Sequence, residues 1–378
     1  MRKFRVLVTG GGTGGHILPL IAVIEELQIL ASSSGVPLKL RYLGAYGTYK
    51  TTLEANDVKV WKLVPSKLRR YFSLENFIDF FKFFIGLVQA LWYVFWFMPD
   101  VLFSKGGPGA LPVVVAAWFY RVPIVVHESD SVPGLTNTLS AKFAKTITLG
   151  FEGANVYFKG RGVYVGNPVR RGILLGEQRS QSALKELFGF NPAKPLMLVF
   201  GGSQGSVRIN DFVLDNLPQI LEVTQILHQT GIENYKDVKN QSAFVVGSVR
   251  EDLRGGYAAV DYFDIGIRDA YRASDVIMGR AGASAIAEAA AFGKPMMLVP
   301  LPESAGDHQR QNAYEYAKSG GAVVLEEENL LPNLFISALK EILENSEKYT
   351  TMSEAAKNYH KQKEAAPAIA KMMLGYYK

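Results

Sequence analysis

The stretch Gly10-Gly11-Gly12-Thr13-Gly14-Gly15-His16 follows the β-branched run Arg5-Val6-Leu7-Val8-Thr9 and precedes an apolar, helix-like segment over residues 17–30. A strand, a glycine turn and a helix start, in that order, make an anion site: unbonded N–H groups point outward and the helix dipole favours negative charge. His16 adds a group able to transfer protons near neutral pH. A phosphorylated substrate is expected. The same residues contain Gly10-x-Gly12-x-x-Gly15, which also suits a dinucleotide. That reading needs an acidic residue at the end of the second strand to hold a ribose, and the candidate strand Leu38-Lys39-Leu40-Arg41-Tyr42-Leu43-Gly44 ends without one. No nicotinamide cofactor, and no other, is expected.

Outward from this turn, short apolar strands alternate with helical patterns: Val101-Leu102-Phe103, Pro123-Ile124-Val125-Val126, Leu196-Met197-Leu198-Val199-Phe200, Asp275-Val276-Ile277-Met278 and Met296-Met297-Leu298-Val299. Such alternation predicts an α/β fold with parallel sheets covered by helices. A second glycine turn, Gly201-Gly202-Ser203-Gln204-Gly205, also follows a strand, so two Rossmann-like halves are expected. The halves are set at residues 1–162 and 163–354, with a C-terminal helix over about 355–378 packing back on the first.

The 378 residues suffice for two domains with ample cores. With no cysteine, disulfides and thiolate metal sites are excluded, and the N-terminus leads straight into a strand rather than a secretory signal. Net charge is uneven. Lys and Arg outnumber Asp and Glu by 17 to 10 in residues 1–160, whereas 24 stand against 25 in the remainder. Without a basic run or recognition module, nucleic acid is not expected. An anionic membrane surface or an acidic substrate accounts for the basic N-terminal half.

Residues 75–98 form the most apolar helix candidate. Its polar or small positions Glu75, Asp79, Lys82, Gly86 and Gln89 fall on one narrow stripe, and the rest of the circumference carries aromatics including Phe77, Phe81 and Phe84. Two readings stand: a core helix, or a helix whose outer face, aided by Trp118, Lys67, Arg69 and Arg70, dips into a bilayer interface. The charge asymmetry favours the second. Asp79, Lys82 and Gln89 interrupt the roughly 20 apolar residues that a membrane span needs.

Other polar clusters sit at strand ends. His127-Glu128-Ser129-Asp130 lies where open α/β sheets place ligands. Arg170, in Gly166-Asn167-Pro168-Val169-Arg170, is suited to phosphate oxygens. Ser284 and Glu288 share a helix face after Arg280-Ala281-Gly282-Ala283, and Asp307-His308-Gln309-Arg310-Gln311-Asn312 gathers hydrogen-bonding side chains. One histidine with two carboxylates and no Asp-x-Asp gives no reason to expect a metal.

Taken in register, these stretches, together with Lys67-Leu68-Arg69-Arg70-Tyr71-Phe72, Pro133-Gly134-Leu135-Thr136-Asn137 and Asn210, resemble the bacterial N-acetylglucosaminyltransferases of peptidoglycan synthesis. The resemblance implies a GT-B architecture, with two Rossmann-like domains and an interdomain cleft. Its donor would be UDP-N-acetylglucosamine and its acceptor an undecaprenyl-linked muramoyl pentapeptide, handled peripherally on the cytoplasmic face of an anionic inner membrane. By the same resemblance, Phe263 and Asp264 flank the uracil and Glu288 holds the ribose. Arg170, Gly202, Ser203 and Gln204 meet the diphosphate, joined by Arg280 and Gly282. Ala283, Ser284 and Ala285 line that pocket, while His308, Gln309, Asn312 and Asp130 orient the sugar. Gly12, Thr13, Gly14 and Gly15 receive the acceptor diphosphate or the transferred sugar, with His127 and Asn137 on the acceptor side.

Three departures from the family pattern stand out: Asp130 where many members have Asn, Ala285 in place of a Thr, and Pro108 after Gly106-Gly107 in place of an aromatic. The expected chemistry is inversion at the anomeric carbon, with His16 as base and Glu128 and Asp130 as competitors. The rival readings are a UDP-sugar 2-epimerase, a transferase using another lipid acceptor, and a non-catalytic nucleotide-sugar sensor.

Overall fold

The computed structural model describes residues 2–377 apart from 68–74, 178, 203, 264–265 and 362–363. The expected contacts Ser203, Asp264, Arg69 and Arg70 lie outside the described residues. The chain divides into two compact units, Met1–Arg171 with Lys363–Lys378, and Gly172–Gln362.

In the first unit seven strands form one parallel sheet: β1 Phe4–Thr9, β2 Leu38–Gly44, β3 Lys59–Lys62, β4 Val101–Ser104, β5 Ile124–Glu128, β6 Thr146–Leu149 and β7 Gly162–Tyr164. Their order is β3-β2-β1-β4-β5-β6-β7. The chain reverses direction across the sheet between β1 and β4, so the crevice at the carboxyl ends of these two strands is where such sheets bind ligands. Helix α1, Gly14–Ser33, buries Ile17, Leu20, Ile21, Ile24 and Leu27 against one face, joined there by the C-terminal helix Ala365–Leu374. The C-terminal segment is thus two helices: Ser346–Lys361 packs within the second unit, and only Ala365–Leu374 lies on α1.

Helices α2, Glu75–Phe97, and α3, Ala110–Phe119, cover the other face. The stripe of polar and small residues on α2 turns largely inward. Asp79 and Gly86 are buried, and Gln89 Oε1 accepts a hydrogen bond from Val64 N at 3.0 Å, while Lys82 stays exposed. Gly86 is packed so closely that a Cβ there would sit 3.0 Å from Val64 O. The aromatic face is therefore left outside: Phe77 is 70% exposed, Trp96 67% and Trp118 of α3 54%, with Phe81 and Phe84 also exposed. The core-helix reading thus accounts for only part of the helix: Ala90, Val94 and Phe97 are buried in the core, with Leu91 and Tyr93 packed against it. By length and composition alone, two helices among the described residues could cross a membrane: α1, half taken up by the core, and Phe77–Phe97, of which little is buried.

The second unit repeats the plan with β8 Leu196–Phe200, β9 Gln225–Gln229, β10 Tyr257–Val260, β11 Val276–Gly279, β12 Met296–Leu298 and β13 Ala322–Val324. Their order is β10-β9-β8-β11-β12-β13, and the reversal falls between β8 and β11.

Candidate functional site

Each unit gathers its sequence-selected residues at its own reversal point. In the first unit the glycine turn is braced from β2: Tyr42 Oη donates to Gly10 O at 2.8 Å and Thr9 Oγ1 to Leu43 O at 2.7 Å. Gly12 is pressed against the next loop, since a Cβ there would come within 2.9 Å of Gly47 N. Gly15 has open space around it. The amides of Gly14 and Gly15 precede His16 N, the first to donate back to Thr13 O at the helix start, so they are donors for an anion.

His16 is half-buried, with Nδ1 2.8 Å from Thr13 Oγ1. Burial first, and Lys105 second, push its pKa down to about 4, against an opposing pull from Asp130. The ring is therefore neutral at physiological pH. When Nδ1–H donates to Thr13, Nε2 carries the free lone pair that a base requires. The β4 turn closes around this ring. Gly107, at φ +87°, comes so near that a Cβ would meet Gly11 and His16 Nε2 at 2.8 Å, and Pro108 packs on Gly11.

The β5 turn corrects two expectations. His127 is fully buried, with Nδ1 3.1 Å from Thr148 Oγ1 and Nε2 3.3 Å from Asn167 Oδ1, so it has no surface to offer an acceptor. Burial holds its pKa well below the usual value. Glu128 is buried and both carboxylate oxygens are engaged: Oε1 accepts from Asp130 N at 3.0 Å, and Oε2 from Gly134 N at 3.1 Å and Asn137 Nδ2 at 3.0 Å. It organises the turn and is not placed as a base, although burial and Asp130 raise its pKa. Asn137, also buried, lies against the backbone of Gly106 and belongs to the same brace. Asp130 is the carboxylate of this turn that reaches the surface. Asn167 braces the turn from behind, its Nδ2 donating to Ser129 O at 3.0 Å. Arg170 lies in the first unit beside Glu25 of α1, with a buried Nε that has no hydrogen-bond partner.

In the second unit Gly202 and Gly205 both adopt positive φ, and a Cβ on Gly205 would come within 2.0 Å of Thr230 O. Helix α4, Val207–Asp215, starts here, capped by Ser206. Gln204 is exposed at the turn. Helix α5, Ile267–Ala273, carries Tyr271, whose hydroxyl donates to Glu288 Oε2 at 3.2 Å on helix α6, Ala283–Ala291. Gly282 is the residue before α6, and Ser284 and Ala285 stay partly exposed in its first turn, where Ala283 is buried. Phe263 is nearly buried, with its amide bonded to Gln229 Oε1 at 3.2 Å.

Three residues expected to touch the donor also brace neighbouring loops. Arg280 is buried, its guanidinium donating to Val299 O, Pro300 O and, at 2.8 Å, Ser206 Oγ, and pairing with Glu327. It ties together the loops after β8, β11 and β12 instead of offering a free cation. On helix α7, His308–Ala317, Asn312 is fully buried and donates to Ala281 O at 3.2 Å, and Gln309 Oε1 accepts from Leu301 N at 3.1 Å. His308 is partly exposed, with Nδ1 2.9 Å from Ala305 O. No group of three metal-ligating side chains forms among the described residues.

Sequence reasoning missed two residues. Lys105, buried directly after β4, faces the Glu128–Asp130 turn. Gln229, buried at the end of β9, donates to Gly202 O at 3.1 Å while it accepts from Phe263 N, linking the glycine turn to the aromatic beside it. The signal was available: each is polar at the carboxyl end of an apolar strand, where ligands sit.

Two family models match, the glycosyltransferase family 28 N-terminal domain over residues 6–149 and its C-terminal domain over 196–372. The chain belongs to glycosyltransferase family 28. It is 36% identical to the UDP-N-acetylglucosamine–N-acetylmuramyl-(pentapeptide) pyrophosphoryl-undecaprenol N-acetylglucosamine transferase of Clostridium tetani over 92% of each chain. Identity to the enzyme of the same name from Legionella pneumophila strain Lens is also 36%, over 93% of this chain and 92% of that one. Among solved structures, MurG of Acinetobacter baumannii superposes with a TM-score of 0.71 at 23% identity, covering 99% of this chain and all of that one. UDP-GlcNAc 2-epimerase of Neisseria meningitidis follows at 0.69 and 14%, covering 98% and 100%. Both likenesses show a GT-B fold for this family 28 chain.

Proposed function

We propose that this chain transfers N-acetylglucosamine from UDP-N-acetylglucosamine to the C4 hydroxyl of an undecaprenyl-diphospho-N-acetylmuramoyl pentapeptide, in peptidoglycan synthesis. The carrying observation is 36% identity, over 92% of both chains, to a relative bearing that transferase name. The epimerase alternative rests on fold likeness at 14% identity and is not favoured.

In this reading the first unit supplies proton chemistry and the second holds the donor. His16 Nε2, with Nδ1–H fixed on Thr13, takes the proton from the attacking hydroxyl, and Asp130 is the remaining competitor for that role. The acceptor diphosphate lies on the amides of Gly14 and Gly15. As the donor bond breaks, charge develops on the departing UDP. Fixed amides around Gly202 and Gln204 and at the start of α6 are aimed at that charge, together with Arg170, and lower the barrier because they need no reorganisation. Glu288 grips the ribose, Phe263 flanks the uracil, Ser284 stands in for the missing hydroxyl at Ala285, and His308 faces the sugar.

The aromatic face of α2 with Trp118 docks on the anionic membrane that carries the acceptor, inserting into the interface without spanning it. Replacing Phe77, Phe81 and Phe84 with Ser abolishes binding to anionic vesicles while the circular dichroism spectrum is retained; undiminished binding removes this part of the proposal. The reaction itself is tested by incubating the protein with UDP-N-acetylglucosamine and the lipid-linked muramoyl pentapeptide. Mass spectrometry should find the acceptor heavier by one N-acetylhexosamine. Conversion of the donor to its 2-epimer without acceptor would replace the proposal with the epimerase reading.

A further inference from the structure

Arg208, the second residue of α4, is exposed, yet its guanidinium is held from two sides. Nη2 donates to Glu303 Oε1 at 2.8 Å and Nη1 to Glu303 Oε2 at 3.1 Å, and Nη1 also donates to Glu327 Oε1. Glu327, just beyond β13, offers its other oxygen to Arg280, which bonds the carbonyls of Val299 and Pro300 and the α4 cap Ser206. Two arginines and two glutamates thus join the loops after β8, β11, β12 and β13. A lone exposed ion pair contributes little, but a forked arginine–carboxylate pair inside a network is the exception. Glu303 stands in the loop over residues 300–307, between β12 and α7. The loop is bonded to α7 where Gln309 N donates to Ser304 Oγ at 3.2 Å and Leu301 N to Gln309 Oε1 at 3.1 Å. It turns through Gly306 at φ +68° and Asp307 at φ +58°. A non-glycine residue seldom adopts that conformation, so contacts and not local preference hold the loop in shape. Its Ala305 O lies 2.9 Å from His308 Nδ1. A carbonyl only accepts, so Nδ1 carries the proton and Nε2 is the ring nitrogen left for a ligand.

We propose that Arg208 is a positioning residue for the donor sugar: its fork on Glu303 fixes the 300–307 loop and, through Ala305, the ring of His308. The inference deepens the donor reading above and rests on it, because His308 is there assigned to the sugar. Uracil, ribose and diphosphate are assigned to other residues of the second unit. Arg280 keeps its bonds to Val299 O, Pro300 O and Ser206 Oγ when Arg208 is lost, so the turn after β8 stays braced. Loosening the fork therefore weakens recognition of the sugar and leaves recognition of the nucleotide in place.

The test is calorimetric titration of the full chain with UDP-N-acetylglucosamine and, separately, with UDP. Arg208→Gln and Glu303→Gln should each weaken binding of the nucleotide sugar about fivefold, the scale of one ion pair lost. Binding of UDP should not change in either. The double variant should lose no more than one single variant, because both substitutions break the same fork. Equal losses for UDP and the nucleotide sugar overturn the proposal and make Arg208 a phosphate contact. Unchanged binding of the nucleotide sugar in Arg208→Gln overturns it too, as do losses that add in the double variant. A protein that makes the product while its variants bind as wild type removes this inference alone. A protein that shows the expected split in binding yet makes no product overturns the transfer reaction and leaves the role of Arg208 standing.

Discussion

The two reversal points share one topology and differ in chemistry. Around β1 and β4 the loops enclose His16, Lys105 and Glu128 in a setting that shifts their protonation, with Asp130 beside them. Around β8 and β11 the loops present amides, hydroxyls and Gln229, and the buried cation Arg280 is paired with Glu327. In the proposed reading, one Rossmann-like frame moves a proton and the other holds a charged ligand. Sheet order fixes where each site lies; the side chains at the strand ends decide what it does.

The largest effect expected from this contrast falls on turnover. His16→Ala should lower kcat by a factor of about 10² to 10⁴, the usual scale for a lost acid–base group. UDP binding by calorimetry should not change, because His16 is assigned to the acceptor's proton and not to the donor. Turnover near wild type would break the assignment and leave Asp130 as the base.

Glu128→Ala comes next and strikes the fold. It leaves Asp130 N, Gly134 N and Asn137 Nδ2 without their acceptor. Each donor left unpaired in a buried setting costs about 1 to 3 kcal/mol, so the melting temperature should drop sharply. A Glu128→Ala protein with wild-type stability and no turnover would restore Glu128 as a catalytic carboxylate.

Buried histidines give a pH signature whose sign follows from their shifts. His16 is lowered to about 4 and His228 to about 3, and His127 is lowered too, while the unfolded chain protonates near 6.5. Below that value the unfolded state binds protons that the folded state refuses. Stability is therefore present above pH 6.5 and lost as pH falls toward 4, by about 1.4 kcal/mol per pH unit for each histidine. Glu128, whose pKa is raised, offsets part of this loss. Thermal melts between pH 7 and 4.5 check it; flat melting temperatures would mean these rings are already charged in the fold.

Much of this was legible in the sequence, and what was not shares one cause. The alternation of strands, both glycine turns and the family resemblance follow from local pattern, which the fold preserves. Whether a polar residue in a motif faces ligand or protein depends on its neighbours in space. His127, Glu128, Arg280, Gln309 and Asn312 stand in motifs because neighbouring loops depend on them for hydrogen bonds. The outward aromatic face of α2 was readable only as an excess of apolar surface; the inward turn of Asp79 and Gln89 required the packing of Val64 and Pro112 against the helix.

The smallest effects separate strut from contact in the second unit. Gln229→Ala removes the link between Gly202 O and Phe263 N, so both sides of the nucleotide pocket loosen. KM for UDP-N-acetylglucosamine should rise about tenfold with kcat nearly unchanged, the mark of lost uniform binding. The melting temperature should also fall, since each buried group left unpaired costs about 1 to 3 kcal/mol. Glu288→Ala should raise KM by a similar factor yet leave the melting temperature nearly in place, because this carboxylate is only half-buried on α6. Melting curves and saturation kinetics for the two variants test this split. If both lose stability equally, Glu288 is a further strut under Tyr271, and ribose recognition must be sought elsewhere on the carboxyl edge of β11.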